Sequence, residues 1–143
     1  MPLDGTWYNE LNSEMTLSVS EDSSNGSIVT GTYQSKVGDA AGIYTLTGIT
    51  DEGTGDLTPN IGFAVSWVNP IYGNSNSVTT WSGQVQEING EEVITTFWLL
   101  TQETSPANSW TSTRIGQDTF TRTPPTKEQI AARLGQGSIP YPG

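Results

Sequence analysis

The 143-residue chain has no histidine and no cysteine, and its lysines and arginines number only five. Without histidine it lacks the commonest general acid–base group, the triad base and the commonest metal ligand. Without cysteine it has neither a disulfide framework nor a thiolate zinc site, and redox chemistry assigns it no compartment. Fifteen acidic residues against five basic ones leave a formal charge of −10. That balance opposes nucleic acid and anionic membrane surfaces, which need basic patches, and it favours solubility. No apolar run approaches the length of a membrane span. The start, Met1-Pro2-Leu3-Asp4, has neither the basic nor the apolar region of a signal peptide. A soluble protein is expected, either secreted or cytoplasmic.

What the chain does have is turn chemistry between short strand-like runs. One domain fits this length. The first run, Gly5–Ser13, would place Trp7, Asn9, Leu11 and Ser13 on one face by simple alternation. Met15–Ser20 alternates strictly, and Glu21–Gly26 ends on the hairpin pair Asn25-Gly26. Further strands are expected at Ser27–Ser35, Ile43–Thr50, Gly62–Asn69, Ser77–Glu87, Val93–Thr101 and Trp110–Arg122. Between them lie a small-residue loop at Val37–Gly42, a Gly- and Asp-rich connection at 51–60, a loop at Pro70–Asn76 and the hairpin pair Asn89-Gly90. The 51–60 connection does not have the spacing of a calcium-binding EF-hand loop. Pro124-Pro125 ends strand pairing, and Thr126–Gln129 has the form of a capping box opening a short helix through Leu134. Residues 1–123 are therefore expected to form the all-β domain, and 124–143 a short helix with a flexible tail. Eight antiparallel strands suit an up-and-down β-barrel, since closure removes unpaired edges; a two-sheet sandwich is the alternative.

The inward faces are unusual in their polarity. Five tryptophans, at 7, 67, 81, 98 and 110, lie on or beside strands along the whole chain. Each could simply be a large core residue. Their neighbours at period two argue otherwise: Ser77 and Thr79 precede Trp81, Tyr33 precedes Ser35, and Asn9 and Ser13 bracket Leu11. A buried hydroxyl or amide without a partner costs roughly 1–3 kcal/mol, so repeated aromatic walls with polar groups suggest a small ligand that supplies the missing bonds. Among the acidic residues only Asp118 is expected to face inward, Glu10, Glu87 and Glu103 falling at outward or end positions.

The segments GTWYNELNS, GTYQSKVGD, FAVSWVN, SVTTWSGQV, TTFWLLT and NSWTSTRIGQDTFTR resemble, in order and spacing, the strand motifs of the avidin and streptavidin family of biotin-binding proteins. The resemblance covers residues 5 to about 122 and implies the family's eight-stranded antiparallel barrel. It implies that Asn9, Ser13 and Tyr33 donate to the ureido oxygen of biotin and that Ser35 and Asp118 accept from its ureido nitrogens. It places Thr79 at the thioether sulfur. Trp67, Trp81 and Trp98, with Leu11, Val37 and Leu100, would box the bicyclic ring. Ser77 and the backbone amide of Asp39 would receive the carboxylate tail, with Ser75 close by. Trp110 would close the pocket of a neighbouring subunit, so the resemblance implies an oligomer, expected as a homotetramer built as a dimer of dimers. Biotin would be a ligand rather than a cofactor, no metal is expected, and the protein would not be an enzyme.

Some positions depart from the streptavidin pattern. Asp39 stands where that pattern has Asn, with Lys36 nearby to offset its charge. Ser75 replaces a small apolar residue, and Phe63 replaces a Trp outside the pocket. On the outward face Phe97, Ile115 and Gln117 stand at positions that, by the resemblance, meet across a subunit interface, where Phe97, Ile115 and Arg114 are closer to the avidin pattern than to streptavidin. Two other classes compete on residues alone. A glycosidase would need two acids across a cleft, and a lectin or lipocalin-like carrier would bind another small ligand on a shallow aromatic strip or an aliphatic lining.

Overall fold

The computed structural model describes residues 3–20, 26–35, 42–51 and 58–135. Eight strands are present: β1 Gly5–Tyr8, β2 Glu14–Val19, β3 Ser27–Gln34, β4 Tyr44–Thr50, β5 Asn60–Asn69, β6 Gly73–Ile88, β7 Glu91–Gln102 and β8 Thr113–Thr121. Each pairs antiparallel with its sequence neighbours and β8 returns to β1, giving a closed up-and-down barrel. Closure satisfies both edges of the sheet, the reason a barrel rather than a sandwich forms. The expected turn at Glu21–Gly26, the loop at Val37–Gly42, most of the 51–60 connection and the tail after Gly135 lie largely or wholly outside the described residues.

Alternation sorts the side chains. Val29, Leu46, Ile61, Val85 and Ile94 fill part of the interior, each 3% exposed or less, and burial of such a side chain stabilises the fold by roughly 1.5–3 kcal/mol. Aromatic rings from β1, β3, β5, β6, β7 and β8 take the rest. The Asn89-Gly90 turn forms as its residues dictate. Both have positive φ, 53° and 80°, the pair of left-handed conformations a two-residue hairpin requires.

Three segments differ from the sequence expectation. Gly5–Ser13 is not one strand: β1 stops at Tyr8, and Asn12 takes φ 68° in a tight turn closed by Asn9 N–H to Ser13 O at 3.0 Å. The Pro70–Asn76 loop is shorter than expected because Asn69 Oδ1 accepts from the backbone N of Ile71 and of Tyr72, and β6 begins at Gly73. Trp110 does not open β8 but sits in a short 3-10 helix, Pro106–Thr111, started by Pro106 in its first turn.

The β1–β8 seam has a single ladder pair, Tyr8 with Thr121. Side chains complete it. Arg122 lies over the Trp7 ring, 3.8 Å from its centroid, donates to Asp4 O at 2.9 Å, and approaches Glu92 at 3.7 Å. After Pro124-Pro125 comes helix α1, Lys127–Leu134, opened by the expected capping box: Gln129 N donates to Thr126 Oγ1 and Thr126 N to Gln129 Oε1. No helix among the described residues is long and apolar enough to cross a membrane.

Candidate functional site

The tight turn after β1 creates the first part of the site. Asn9 Oδ1 accepts from the backbone N of Leu11 at 3.0 Å and of Ser13 at 2.8 Å. Those two donors fix the orientation of the amide, because an NH2 group there would face N–H groups. Asn9 Nδ2 is thereby turned to Asp118 Oδ1 at 3.4 Å, and its second hydrogen remains for another acceptor. Trp7, Asn9, Leu11 and Ser13 all end buried, as expected, but the turn rather than strand alternation brings Leu11 and Ser13 inward.

Asp118 is 4% exposed. Its Oδ2 accepts from Trp81 Nε1 at 2.9 Å, and its backbone carbonyl accepts from Thr96 Oγ1 at 2.9 Å. Burial pushes the Asp118 carboxyl well above the usual carboxylate range, and the charge of Glu10 adds to the rise; the bonds from Trp81 and Asn9 oppose it. Glu10 lies past the end of β1, on the outer side of the seam. Its Oε2 accepts from Thr119 N across the β1–β8 seam at 3.1 Å, and it is half-buried. The sequence pattern missed this bond because the chain leaves strand geometry at Asn9, where period-two reasoning ends.

The tryptophans are held as specifically. Trp67 lies at an irregularity between β5 and β6, where register shifts between Ser66 and Val68 and Asn76 takes φ 54°. Such bulges re-aim side chains beside binding sites. Trp67 Nε1 donates to Thr79 Oγ1 at 2.8 Å. Tyr33 packs edge-on against Trp67 and tilted against Trp81, at centroid distances of 5.7 and 5.1 Å. Phe63 is buried and stacks on Trp81 at 4.9 Å.

Two polar atoms among these rings lack a hydrogen-bond partner among the described residues: Tyr33 Oη and Trp98 Nε1. Burial pushes the Tyr33 phenol well above its ordinary range, the Asp118 charge adding and the neighbouring Ser13 hydroxyl opposing. Tyr33 therefore stays protonated and is a hydrogen-bond donor at neutral pH. Two orphan donors in a buried space cost on the order of 1–3 kcal/mol each, a cost that an acceptor-bearing ligand relieves.

Of the sixteen residues singled out in the sequence, Asn9, Leu11, Ser13, Tyr33, Ser35, Trp67, Thr79, Trp81, Trp98, Leu100 and Asp118 are buried. Ser77 is half-buried and Ser75 exposed, both on β6 near its start. Trp110 is 82% exposed and does not enter its own barrel. Val37 and Asp39 lie outside the described residues.

The sequence also hid Gly116. It pairs with Trp98 across β7 and β8, and a Cβ there would overlap the indole ring. Gly116→Ala is expected to displace Trp98 and destabilise the barrel by about 1–3 kcal/mol. Thermal unfolding with tryptophan fluorescence checks this, and an unchanged melting temperature and emission spectrum contradict it.

Fold and site together define a closed β-barrel with polar groups buried among aromatic rings in its interior. The chain belongs to the avidin family, whose sequence profile matches residues 1–123. It is 37% identical over 125 residues to avidin-related protein 4/5 of Gallus gallus, covering 84% of this chain and 77% of that protein. It is 34% identical over 131 residues to avidin of Gallus gallus, covering 88% and 81%. A segment of fibropellin-1 of Strongylocentrotus purpuratus, 11% of that protein, is 30% identical over 84% of this chain.

Proposed function

We propose that the protein binds biotin non-covalently and with high affinity inside the barrel, and that a subunit neighbour completes the pocket. The observation that carries this reading is the unpartnered Tyr33 hydroxyl and the spare hydrogen of Asn9 Nδ2, both beside a carboxyl held by its own donors. Tyr33 Oη and the second hydrogen of Asn9 Nδ2 are donors for a ureido oxygen, joined by Ser13. Asp118 and Ser35 are the acceptors for the ureido N–H groups. Trp67, Trp81 and Trp98 wall the ring with Leu11, Val37 and Leu100, and Thr79 meets the sulfur while orienting Trp67. Ser77, Ser75 and the Asp39 backbone amide receive the carboxylate tail.

An enzymatic reading is disfavoured by the acid pair itself. Glu10 is bonded to Thr119, the residue next to Asp118, whereas a glycosidase holds its two carboxyls apart on either side of the scissile bond.

The outer face supports assembly as a homotetramer, a dimer of dimers. Phe97, Leu99 and Ile115 are 61%, 47% and 67% exposed on β7 and β8. A shallow concavity on the outer surface is lined by Ile49, Gly62, Ser82, Thr95 and Phe97. An apolar patch of this kind is a liability on a monomer and favours association when covered. Trp110, exposed on its 3-10 helix, is then placed to cover a neighbour's pocket.

Isothermal titration with biotin tests the function. The reading predicts saturable heat at one biotin per chain, and no heat at micromolar protein overturns it. Light scattering of the same sample is expected to give four chains per particle.

A further inference from the structure

We propose that Glu10 is a positioning residue that couples ligand affinity to pH: bonded to Thr119 N across the β1–β8 seam, its carboxyl stands behind Asp118, and a proton shared between them weakens Asp118 as an acceptor. This rests on the reading of the barrel interior as a biotin site.

The geometry is residue-by-residue across the seam. Asn9 reaches Asp118 and Glu10 reaches Thr119, consecutive residues on each side. Only one ladder pair closes β1 on β8, so these two side-chain bonds hold the seam at the depth of the site. Glu10 also lines a solvent-open cavity between the seam and α1, into which Thr119, Glu91 and Arg133 project. Protons thus reach Glu10 from outside while the ligand occupies the inside.

The hydrogen-bond inventory decides the consequence. The Asp118 oxygens already face Trp81 Nε1 and Asn9 Nδ2, and the ligand adds a third donor. A proton on Asp118 is a fourth, and the Glu10 carboxyl, bonded to the adjacent Thr119 as Asn9 is to Asp118, is the neighbouring acceptor for it. The neutral carboxyl then meets the ligand N–H without charge assistance, a bond roughly half as strong. The ionisable groups around the pair are Tyr33 from β3, Glu91 at the start of β7 and Arg133 from α1. Tyr33 stays neutral at and below neutral pH. Glu91 and Arg133 carry opposite charges on the cavity wall, leaving Glu10 as the close acidic neighbour of Asp118.

The test compares the parent with Glu10→Gln, which keeps an oxygen for Thr119 N–H and loses the charge. Biotin titrations from pH 4 to 8 are expected to show affinity falling on acidification, with the fall in the variant displaced downward by on the order of one pH unit, the effect of removing a like charge at close range. In parallel, carboxyl-carbon NMR of the ligand-free proteins is expected to show Asp118 titrating above the ordinary Asp range in the parent and moving down in the variant. Coincident NMR titrations of Asp118 overturn the coupling whether or not biotin binds, as do coincident affinity profiles. An absence of biotin heat at every pH, with the NMR shift present, instead overturns the biotin reading and with it the ligand arm of this proposal. Should Glu10→Gln not fold, an Asp118 titration in the parent confined to the ordinary Asp range overturns the coupling on its own.

Discussion

Replacing Asp118 with asparagine is expected to weaken biotin binding by about 3–5 kcal/mol, the loss of a charge-assisted bond plus the cost of a donor facing a donor. The same change should make the ligand-free barrel more stable at neutral pH. Burial, above all, holds the folded-state pKa of Asp118 above its unfolded value. A group with a raised folded pKa favours the native state fully below its unfolded pKa, near 3.9 for Asp, and that contribution is lost as pH rises through the folded value. Above the unfolded value the buried carboxyl therefore costs stability, and the amide, which needs no ionisation, removes the cost. Calorimetry with biotin and differential scanning of the ligand-free protein read both effects. Unchanged affinity removes Asp118 from the site; lowered stability at neutral pH contradicts the account of its burial.

Replacing Trp110 with alanine is expected to weaken biotin binding by about 2–4 kcal/mol, the scale of a buried indole at an interface centre, while leaving each barrel folded. The indole is 82% exposed on a 3-10 helix. Its removal therefore costs the isolated barrel almost nothing, and its effect measures what a neighbour contributes. Kd by titration and particle mass by light scattering are read together. A tetramer with parental affinity contradicts the role given to Trp110, and a particle of one chain at micromolar concentration contradicts the assembly.

How much of this was legible in the sequence depended on backbone regularity. Where strands run straight, Tyr33, Thr79, Trp81, Trp98, Leu100 and Asp118 are all buried as expected, because a closed barrel enforces alternation on every strand; for Trp98 and Leu100, on a strand apolar on both faces, the inward side came from the resemblance and not from the period. Asn89-Gly90 and the Thr126–Gln129 capping box were equally readable, since each states its own local geometry. What escaped lies where the chain departs from that geometry. The left-handed Asn12 bent the first run and hid the Glu10 bond to Thr119. The Asn69 side chain shortened a loop. Gly116 escaped for another reason: in sequence a glycine reports only the absence of a side chain, and the indole occupying its space comes from another strand.

A crystal structure of the biotin complex tests the central claim most directly. The account predicts the ureido oxygen within about 2.7–3.2 Å of Tyr33 Oη, one ureido nitrogen on Asp118, and the ring enclosed by Trp67, Trp81 and Trp98. Biotin found only on the outer face, or an interior filled by those side chains with no room for the ring, would contradict it.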